Sequence, residues 1–489
     1  MPKVRSRRAP ALAALAALVV LALAFVAAKG GAIYEKVLYL RYGAELPAPR
    51  GAPPRDAAQA RLQDLEMLAA LPTVDRSFTP EARARFAREV ASLRERASTL
   101  DDARFFLGVA KAVALSGNAH TNVDLVSWRE KLAAVPLRFA WFPEGLYVIR
   151  ARTAEATLLG ARILAIDGIA PERLEEEARA YFAGTREYVH SVSHVLLESP
   201  AALHALHPEA SADRLALRVR DASGAERDVE VAAVAAASAP RAVKPGRLRS
   251  PVPLADERPG EWRALLEARP VPASLRGPGH VTYATRLDAG TLYLHLWQVR
   301  DEPRERIAAR IARALGSEAD PPWRRIVLDL RFDAGGDYPT VYASMRALPR
   351  RLAPDGRLLI LTDETTFSAA IITAVLAKHF AGARATVVGS APGDRLAFWA
   401  EGTPARLPNS GIRIGVSTGY HDWAHGCREL RCWWPNLYYG VAGGSLAPSV
   451  PVRWTFADYS RGVDTVLDRA LEDDGTKEGT TEGAREEHR

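Results

Sequence analysis

The chain has 489 residues, of which 48% are hydrophobic and 25% charged, an ordinary composition for a globular protein with room for two or three domains. Its net charge of +7 would suit a nucleic-acid partner. The arginines are scattered, however, as in "RARFAREVASLRERAS", and no basic stretch alternates with aromatic residues, so we interpret them as solvated helix faces and expect no nucleic-acid binding.

The N-terminus has the order of features that marks an export signal, with basic residues before an apolar run. The basic residues are Lys3, Arg5, Arg7 and Arg8, and the run extends from Ala11 to Ala28. Its length suits a short membrane span, whereas "VAA" before Lys29 suits cleavage, so residues 1–30 are a signal anchor or a signal peptide. We expect an exported protein that is anchored in the inner membrane and faces the periplasm, or is secreted after cleavage. A buried helix of a soluble domain is the alternative that the clustered charge disfavours.

Helix-like and strand-like patterns follow in blocks. After a proline-rich linker at residues 31–56, residues 57–130 are predicted to form amphipathic helices, one of which opens on the cap sequence "TPE". Residues 131–240 carry strand-like runs such as "LRFAWF", "GLYVIRA" and "RLALRVRD". Within them, "LLGARILAIDGIAPERLEEEARAY" joins a strand, an Asp-Gly turn and a helix and resembles a PDZ domain, which binds peptides by strand addition. A small β-domain without a ligand is the alternative.

Strands and helices alternate in the last large part of the chain, after a proline-rich connector at residues 241–280. Residues 281–471 contain apolar strands such as "RRIVLDLR", "GRLLILT" and "ATVVG", with helices such as "TFSAAIITAVLAKHF" between them. This alternation predicts a layered α/β domain with mostly parallel strands. Residues 472–489 are polar and charged, and we expect a disordered tail.

The two cysteines, Cys427 and Cys432, are close in sequence. In an exported chain this spacing predicts a disulfide across a short loop. A zinc site with His421 and His425 is the alternative, but the spacing matches no common zinc pattern, and we expect no metal and no cofactor.

Three stretches carry residue types used in acyl transfer by a serine. In "DLRFDAGGD", a strand runs into two glycines, whose backbone N–H groups are accessible enough to form an oxyanion hole. Ser368, in "DETTFSAAII", lies where a strand gives way to a helix, near unpaired N–H groups and the positive end of the helix dipole. His120, in "LSGNAHTNV", is a remote base candidate.

Each stretch also has a structural interpretation. Paired glycines after a strand are often a simple turn, and a lone histidine in a loop is often a surface residue. Ser368 can simply cap the helix, a role for which Thr365 and Thr366 compete.

Together and in this order, the motifs resemble the C-terminal processing (tail-specific) and tricorn-type serine peptidases. The matching stretches are "NAHTNV", "LLGARILAIDG", "DLRFDAGGD", "TFSAA" and, more loosely, "GGSLAPSVPVRWTFADYSRGVDTVLDRAL", and the resemblance spans residues 80 to 471. It implies a crotonase-like (ClpP-like) layered α/β catalytic domain, a PDZ-like β-rich domain and an N-terminal helical region.

The resemblance also implies site residues. Ser368 would be the nucleophile, and the amides of Gly336 and Ala369 would form the oxyanion hole, with Gly335 as a near alternative. Asn409 and Gly411, in "LPNSG", match a family loop near the substrate.

The chain departs from the family at the proton acceptor. Processing enzymes use a lysine after the next strand, but Asp394 and Arg395 stand there, and no lysine occurs between Lys378 and Lys477. Tricorn-type members draw a histidine from the N-terminal segment, which favours His120 as general base. Asp394, Glu401 and Asp337 are candidates for an orienting carboxylate; Lys378 is better interpreted as a solvated helix residue.

The sequence therefore predicts a serine-type endopeptidase of the cell envelope that acts on protein or peptide substrates through an acyl-enzyme. A binding protein on the same scaffold is the alternative, since the family includes ligand carriers without activity and this chain lacks the lysine. A crotonase-like acyl-CoA enzyme would share the fold but explains neither the export signal nor the PDZ-like stretch.

Overall fold

The computed structural model describes residues 36–43, 45–235, 244–254, 257–258 and 260–472. The predicted signal or anchor at residues 1–30 lies outside these ranges, as do residues 473–489 of the predicted tail. Among the described residues, no helix combines the length and the apolar character needed to cross a membrane.

Helices build the first part of the described chain, as the amphipathic patterns predicted. Helix α1 covers residues 36–42. It is followed by α2 (Ala57–Ala69), α3 (Leu71–Val74), α4 (Pro80–Glu95), α5 (Asp102–Ala114) and α6 (Leu125–Lys131). The predicted cap of α4 is confirmed, because the Thr79 hydroxyl accepts the Ala82 N–H and Pro80 is the first helical residue.

An antiparallel sheet follows, which we call the N-terminal sheet. Its strands are β1 (Leu137–Phe142), β2 (Gly145–Arg152), β3 (Arg162–Ile166), β4 (Arg214–Arg220), β5 (Glu226–Ala232) and β6 (Trp262–Ala264). They lie in the order β1-β2-β3-β4-β5, and β6 pairs with β2. Since β6 lies within residues 241–280, part of the predicted connector belongs to this sheet.

In the described chain, five α-helices lie between strands of the N-terminal sheet in the chain order. They are α7 (Pro171–Ala178), α8 (Arg186–Val192), α9 (His194–Leu197), α10 (Pro200–Leu206) and, before β6, α11 (Pro245–Arg249). The predicted succession of strand, Asp-Gly turn and helix is confirmed by β3, a turn with Asp167 and Gly168 at positive φ, and α7. Helices α8 to α10 were not predicted.

The remaining elements form the C-terminal sheet and its surroundings. The strands are β7 (Thr282–Asp288), β8 (Thr291–Leu296), β9 (Trp323–Asp329), β10 (Leu352–Thr362), β11 (Ala385–Gly389), β12 (Ala397–Glu401), β13 (Ala405–Arg406), β14 (Arg413–Ile414), β15 (Ser417–Asp422) and β16 (Val450–Pro451). The helices are α12 (Ile307–Leu315), α13 (Tyr342–Ala347), α14 (Ala369–Ala381), α15 (Trp434–Tyr439), α16 (Phe456–Arg461) and α17 (Thr465–Glu472).

Six of these strands form the C-terminal sheet, in the order β16-β11-β10-β9-β8-β7. All neighbouring pairs are parallel except β7 with β8. The prediction of a mixed α/β domain with mostly parallel strands is confirmed.

The β13–β14 hairpin packs against the N-terminal helices. Leu407, Ile412 and Ile414 are buried in the same hydrophobic core as helices α2 to α5. Gly415 follows the hairpin, and its N–H donates to the Asn122 carbonyl at 2.9 Å. The turn that carries His120 is thereby fixed to the C-terminal part of the chain.

Candidate active site

The three loops with the predicted chemistry leave neighbouring parallel strands. Strand β9 pairs with β10, where Asp329 lies opposite Leu361, and β10 pairs with β11, where Thr362 lies opposite Gly389. The carboxyl ends of parallel strands meet at one edge of a sheet, where open α/β sheets bind ligands. The "DLRFDAGGD", Ser368 and Asp394 loops therefore leave the same edge.

Ser368 has a strained backbone at the start of α14. Its φ is +54° and its ψ is −123°, a conformation that non-glycine residues rarely adopt. Such strain costs about 1–3 kcal/mol and clusters at functional sites. Ser368 occupies the N-cap position, yet its side chain makes no capping hydrogen bond. The structure therefore contradicts the interpretation of Ser368 as a simple helix cap, and its sharp turn is typical of a nucleophile that a strand-to-helix junction exposes.

Thr365 and Thr366 do not cap the helix either; they join the two loops. The Phe332 N–H donates to Thr365 Oγ1 at 2.7 Å, and Thr366 Oγ1 donates to a backbone carbonyl of the same loop. The Phe367 N–H donates to the Asp333 carbonyl at 3.0 Å. The serine and the glycine pair are thus held in a fixed relation.

Gly335 lies directly against the serine. Its φ is +100°, and a Cβ placed on it would be 2.7 Å from Ser368 Cβ and 2.8 Å from the Ala369 nitrogen. Both the backbone conformation and the close approach require glycine.

The backbone amides near Ser368 differ in their hydrogen-bond partners. The Gly335 N–H donates to Asp333 Oδ1 at 2.8 Å and is not available to a substrate. Within the described residues, no acceptor is hydrogen-bonded to the N–H of Gly336 or of Ala369. Two available amides beside a serine hydroxyl are what an oxyanion hole needs, which favours Gly336 and Ala369 over Gly335.

Asp333, in the loop before the glycine pair, is fully buried. Burial raises the pKa of this carboxyl to about 8, although the Gly335 N–H and the positive charge of Lys244 act in the opposite direction. Its Oδ2 has no hydrogen-bond partner among the described residues. A protonated Asp333 carries no charge. Lys244 directly precedes α11, and burial lowers its pKa.

His120 is clamped between two aromatic rings. Its imidazole stacks on Phe367, with ring centroids 4.5 Å apart, and on Phe398 at 4.9 Å. The turn that carries His120 is also fixed by the next residue, because Thr121 Oγ1 donates to the buried Asp75 Oδ2 at 2.8 Å. The structure therefore brings His120 beside the residue that precedes Ser368.

Asp394 is the carboxylate beside His120. Its Oδ2 lies 3.6 Å from His120 Nδ1, longer than a hydrogen bond, and its side chain is 3% exposed. Within the described part of the chain, that oxygen and both imidazole nitrogens lack hydrogen-bond partners. A buried carboxylate facing Nδ1 leaves Nε2 for a second partner, as in a catalytic triad.

Glu401 faces a different histidine. Its Oε1 lies 3.3 Å from His421 Nε2, and the buried His421 ring stacks on Phe398 at 4.8 Å. Glu401 and His421 therefore lie across the Phe398 ring from His120, which favours Asp394 over Glu401 as the orienting acid. The pKa of Asp337 is raised by burial and by the nearby Glu401.

Lys378 lies in the last turn of α14, roughly 13 Å along the helix axis from its first residue. Its Nζ donates to the Ser445 carbonyl at 2.5 Å. Lys378, which we interpreted as a solvated helix residue, is half-buried, and its position disfavours it as the proton acceptor of Ser368.

Asn409 and Gly411 lie in the β13–β14 hairpin. The Asn409 side chain donates to the Ala60 carbonyl at 3.0 Å, and its N–H donates to Asp64 Oδ1 at 2.8 Å. These contacts attach the loop to helix α2 and account for Asn409 without a substrate.

Cys427 and Cys432 form the predicted disulfide, with Cα atoms 5.9 Å apart. Neither cysteine is thus available to the zinc alternative, and the described residues contain no group of three or more potential ligands that could hold a metal ion.

Comparison with known structures supports the fold class. Mature CPAF aligns with a TM-score of 0.55 at 15% identity, over 85% of this chain and 98% of that chain. Mature CPAF complexed with lactacystin gives 0.54 at the same identity and coverage. The photosystem II D1 C-terminal processing protease covers 85% of this chain and 97% of its own, at 13% identity and a TM-score of only 0.37.

The chain therefore has the fold of mature CPAF. At this identity the likeness concerns the fold alone. No protein-family model matches the sequence, and no curated protein matches it significantly.

Proposed function

We propose that the chain is a serine-type endopeptidase, of the C-terminal processing or tail-specific kind, that hydrolyses protein substrates in the cell envelope. The observation that carries the proposal is Ser368 itself. It is held at positive φ at the start of α14, makes no capping bond, and lies against Gly335 beside two available amides.

The groups have complementary roles in acylation. Ser368 Oγ attacks the peptide carbonyl carbon while His120 Nε2 takes its proton, and the Gly336 and Ala369 amides bind the oxyanion. His120 then protonates the leaving amine, and Asp394 stabilises the imidazolium through Nδ1. Water hydrolyses the acyl-enzyme by the reverse proton transfers. Closing the 3.6 Å gap between His120 and Asp394 requires a small movement, and such bonds often tighten only when substrate binds.

The N-terminal sheet would present the substrate. In the PDZ-like assignment, a peptide adds to a sheet edge as an extra strand. Strand β5 ends one side of the strand order, and its side chains are mostly exposed. Substrate selection would thus occur on a sheet separate from the serine.

The protein would work outside the cytoplasm. The Cys427–Cys432 disulfide suits an oxidising compartment. Residues 11–28 would anchor the protein in the inner membrane, or be removed on secretion.

Labelling with a fluorophosphonate probe, together with hydrolysis of an unfolded protein substrate, tests the proposal. Wild type should be labelled and active, whereas Ser368→Ala should lose both without a change in melting temperature. Ser344→Ala, a substitution of another serine of the C-terminal domain, is the matched control. Equal labelling of wild type and Ser368→Ala would contradict the proposal.

A ligand-binding protein on the same scaffold is the second candidate. The observation that favours it is that neither nitrogen of His120 is hydrogen-bonded to Ser368 Oγ or to any other described group. Absence of both labelling and hydrolysis in folded wild type, with retained peptide binding, would favour this candidate.

A further inference from the structure

Several large apolar side chains are exposed on helix α1, on the loop closed by the disulfide and on α15. Leu430 is 88% exposed, Tyr438 84% and Leu40 73%. Tyr39 and Leu437 are also exposed. We call these five residues, with Trp434, the aromatic patch. Exposed apolar groups gathered in this way mark interaction surfaces.

Specific contacts bring the parts of the aromatic patch together. Tyr42 is buried, donates its hydroxyl to the Cys432 carbonyl at 2.8 Å, and packs edge-on against Trp433 at 4.6 Å. The Arg41 guanidinium donates to the Leu430 carbonyl and lies 5.4 Å from the Trp434 ring. Helix α1 is thus clamped onto the disulfide loop and α15.

The patch includes a concave apolar surface. An open groove of about 610 Å³ is lined by aromatic, proline and leucine side chains only. The lining residues are Pro339, Trp434, Pro435, Leu437, Tyr438 and Tyr439. No charged side chain is offered to a polar ligand there.

The position of the aromatic patch in the chain favours a lipid bilayer as its partner. The apolar run ends at Ala28, and the patch begins with α1 at residue 36. The seven residues between them span at most about 25 Å even when fully extended. A bilayer that holds residues 11–28 would therefore lie within reach of the patch.

Among the described residues, the segments that carry the aromatic patch hold four basic and two acidic side chains. Glu45 accepts the Tyr39 hydroxyl at 2.7 Å, and Glu429 pairs with Arg431 at 2.7 Å. Lys36, Arg428 and Arg431 are exposed, and Arg41 lies against Trp434, so basic residues outnumber acidic ones there. Tyrosine and tryptophan settle at the membrane–water interface, and cations next to them are attracted to anionic lipid headgroups. This combination is complementary to an anionic bilayer surface.

We propose that the aromatic patch docks on the lipid bilayer and holds the domain against the membrane in a fixed orientation. The inference rests on the proposed export and anchoring, and it is independent of the peptidase activity. A second copy of the chain is the other occupant to be tested.

Tryptophan quenching in vesicles tests the docking on the full chain. The first tryptophan is Trp128, so the apolar run contributes no signal. Full-length protein is reconstituted into phosphatidylglycerol-containing vesicles with brominated acyl chains. We expect quenching in wild type, loss of its larger part in Trp434→Phe, and little change in Trp454→Phe, whose indole packs on Tyr459 instead. Quenching that is absent, or unchanged in Trp434→Phe, would overturn the proposal.

Two further measurements separate the alternatives. Carbonate extraction of the full chain tests the anchor, so a failure of anchoring is distinct from a failure of docking. In the double variant Leu430→Ser/Tyr438→Ser, we expect reduced quenching with unchanged extraction. A dimer in detergent that this variant dissociates, with no lipid quenching in wild type, would assign the patch to a second copy and overturn the bilayer proposal.

Discussion

The imidazole of His120 stacks on the ring of Phe367, the residue immediately before Ser368, with ring centroids 4.5 Å apart. A residue of the N-terminal helical region is thereby placed beside the loop that carries the proposed nucleophile. Phe398 holds the opposite face of the same imidazole, so the ring plane of the proposed base is fixed from both sides.

Substitution of Phe398 should impair the proposed base more than the fold. Phe398→Leu keeps the position apolar and should cost about 0.5–3 kcal/mol of stability. It removes the flat surface against His120, and misplacement of a catalytic group by about 1 Å can lower a rate 100-fold. We expect a labelling rate at least about 10-fold lower than wild type. Phe86→Leu, in helix α4 and the hydrophobic core that it shares with α2, α3 and α5, is the matched control and should label normally.

Asp394 and Glu401 are distinguished by their neutral amide variants. Asp394→Asn should lower the labelling rate by about 100-fold or more, because the imidazolium loses its carboxylate. Glu401→Gln should have little effect, since Glu401 faces His421. An unchanged melting temperature of Asp394→Asn separates this role from a structural one. Equal effects of both variants would remove Asp394 from the proposed triad.

Gly335 should tolerate no side chain. Gly335→Ala adds a Cβ 2.7 Å from Ser368 Cβ at a φ of +100°, so the serine must move or the loop must open. We expect labelling to be lost and the free energy of unfolding to fall by about 1–3 kcal/mol. Gly444→Ala, also at positive φ but with no atom within 4 Å of the new Cβ, measures the backbone effect alone. Normal labelling of Gly335→Ala would contradict the close approach.

Asp333 should make stability depend on pH. Its folded-state pKa of about 8 is above the ordinary value of 3.8, so the folded protein binds more protons than the unfolded protein between those pH values. The contribution of Asp333 to the free energy of unfolding is fully present below about pH 4 and is lost as pH rises through 8. The slope is at most about 1.4 kcal/mol per pH unit. Asp333→Asn should remove this slope, as measured by chemical denaturation from pH 5 to pH 9. An identical pH dependence of both proteins would show that Asp333 does not titrate in this range.

Local patterns predicted much of the fold. The strands "LRFAWF" and "ATVVG" coincide with β1 and β11, because each is a short apolar run between clear turn signals. Helices α8 to α10 and strand β6 were missed. The three-residue β6 is stabilised by its pairing with β2 and not by a pattern of its own.

The parts of the site that depend on neighbouring residues were predictable from the sequence, and the parts that depend on contacts between remote segments were not. Strand order brings the glycine pair and Ser368 together, and the resemblance named both. The placement of Asp394 beside His120, the clamp by Phe398 and the proximity of Lys244 to Asp333 depend on tertiary packing between remote segments. The strained φ of Ser368 likewise leaves no mark in "DETTFSAAII", whose threonines offered equally good caps.

Peptide mapping of the fluorophosphonate adduct tests the central claim most directly. Trypsin should release Ser368 in the peptide Leu358–Lys378, and fragmentation places the added mass on a single residue. We predict one adduct per chain, on Ser368, whose rate of formation falls in His120→Gln and Asp394→Asn. An adduct on any other residue, or a folded wild-type protein that forms none, would contradict the assignment of Ser368 as the nucleophile.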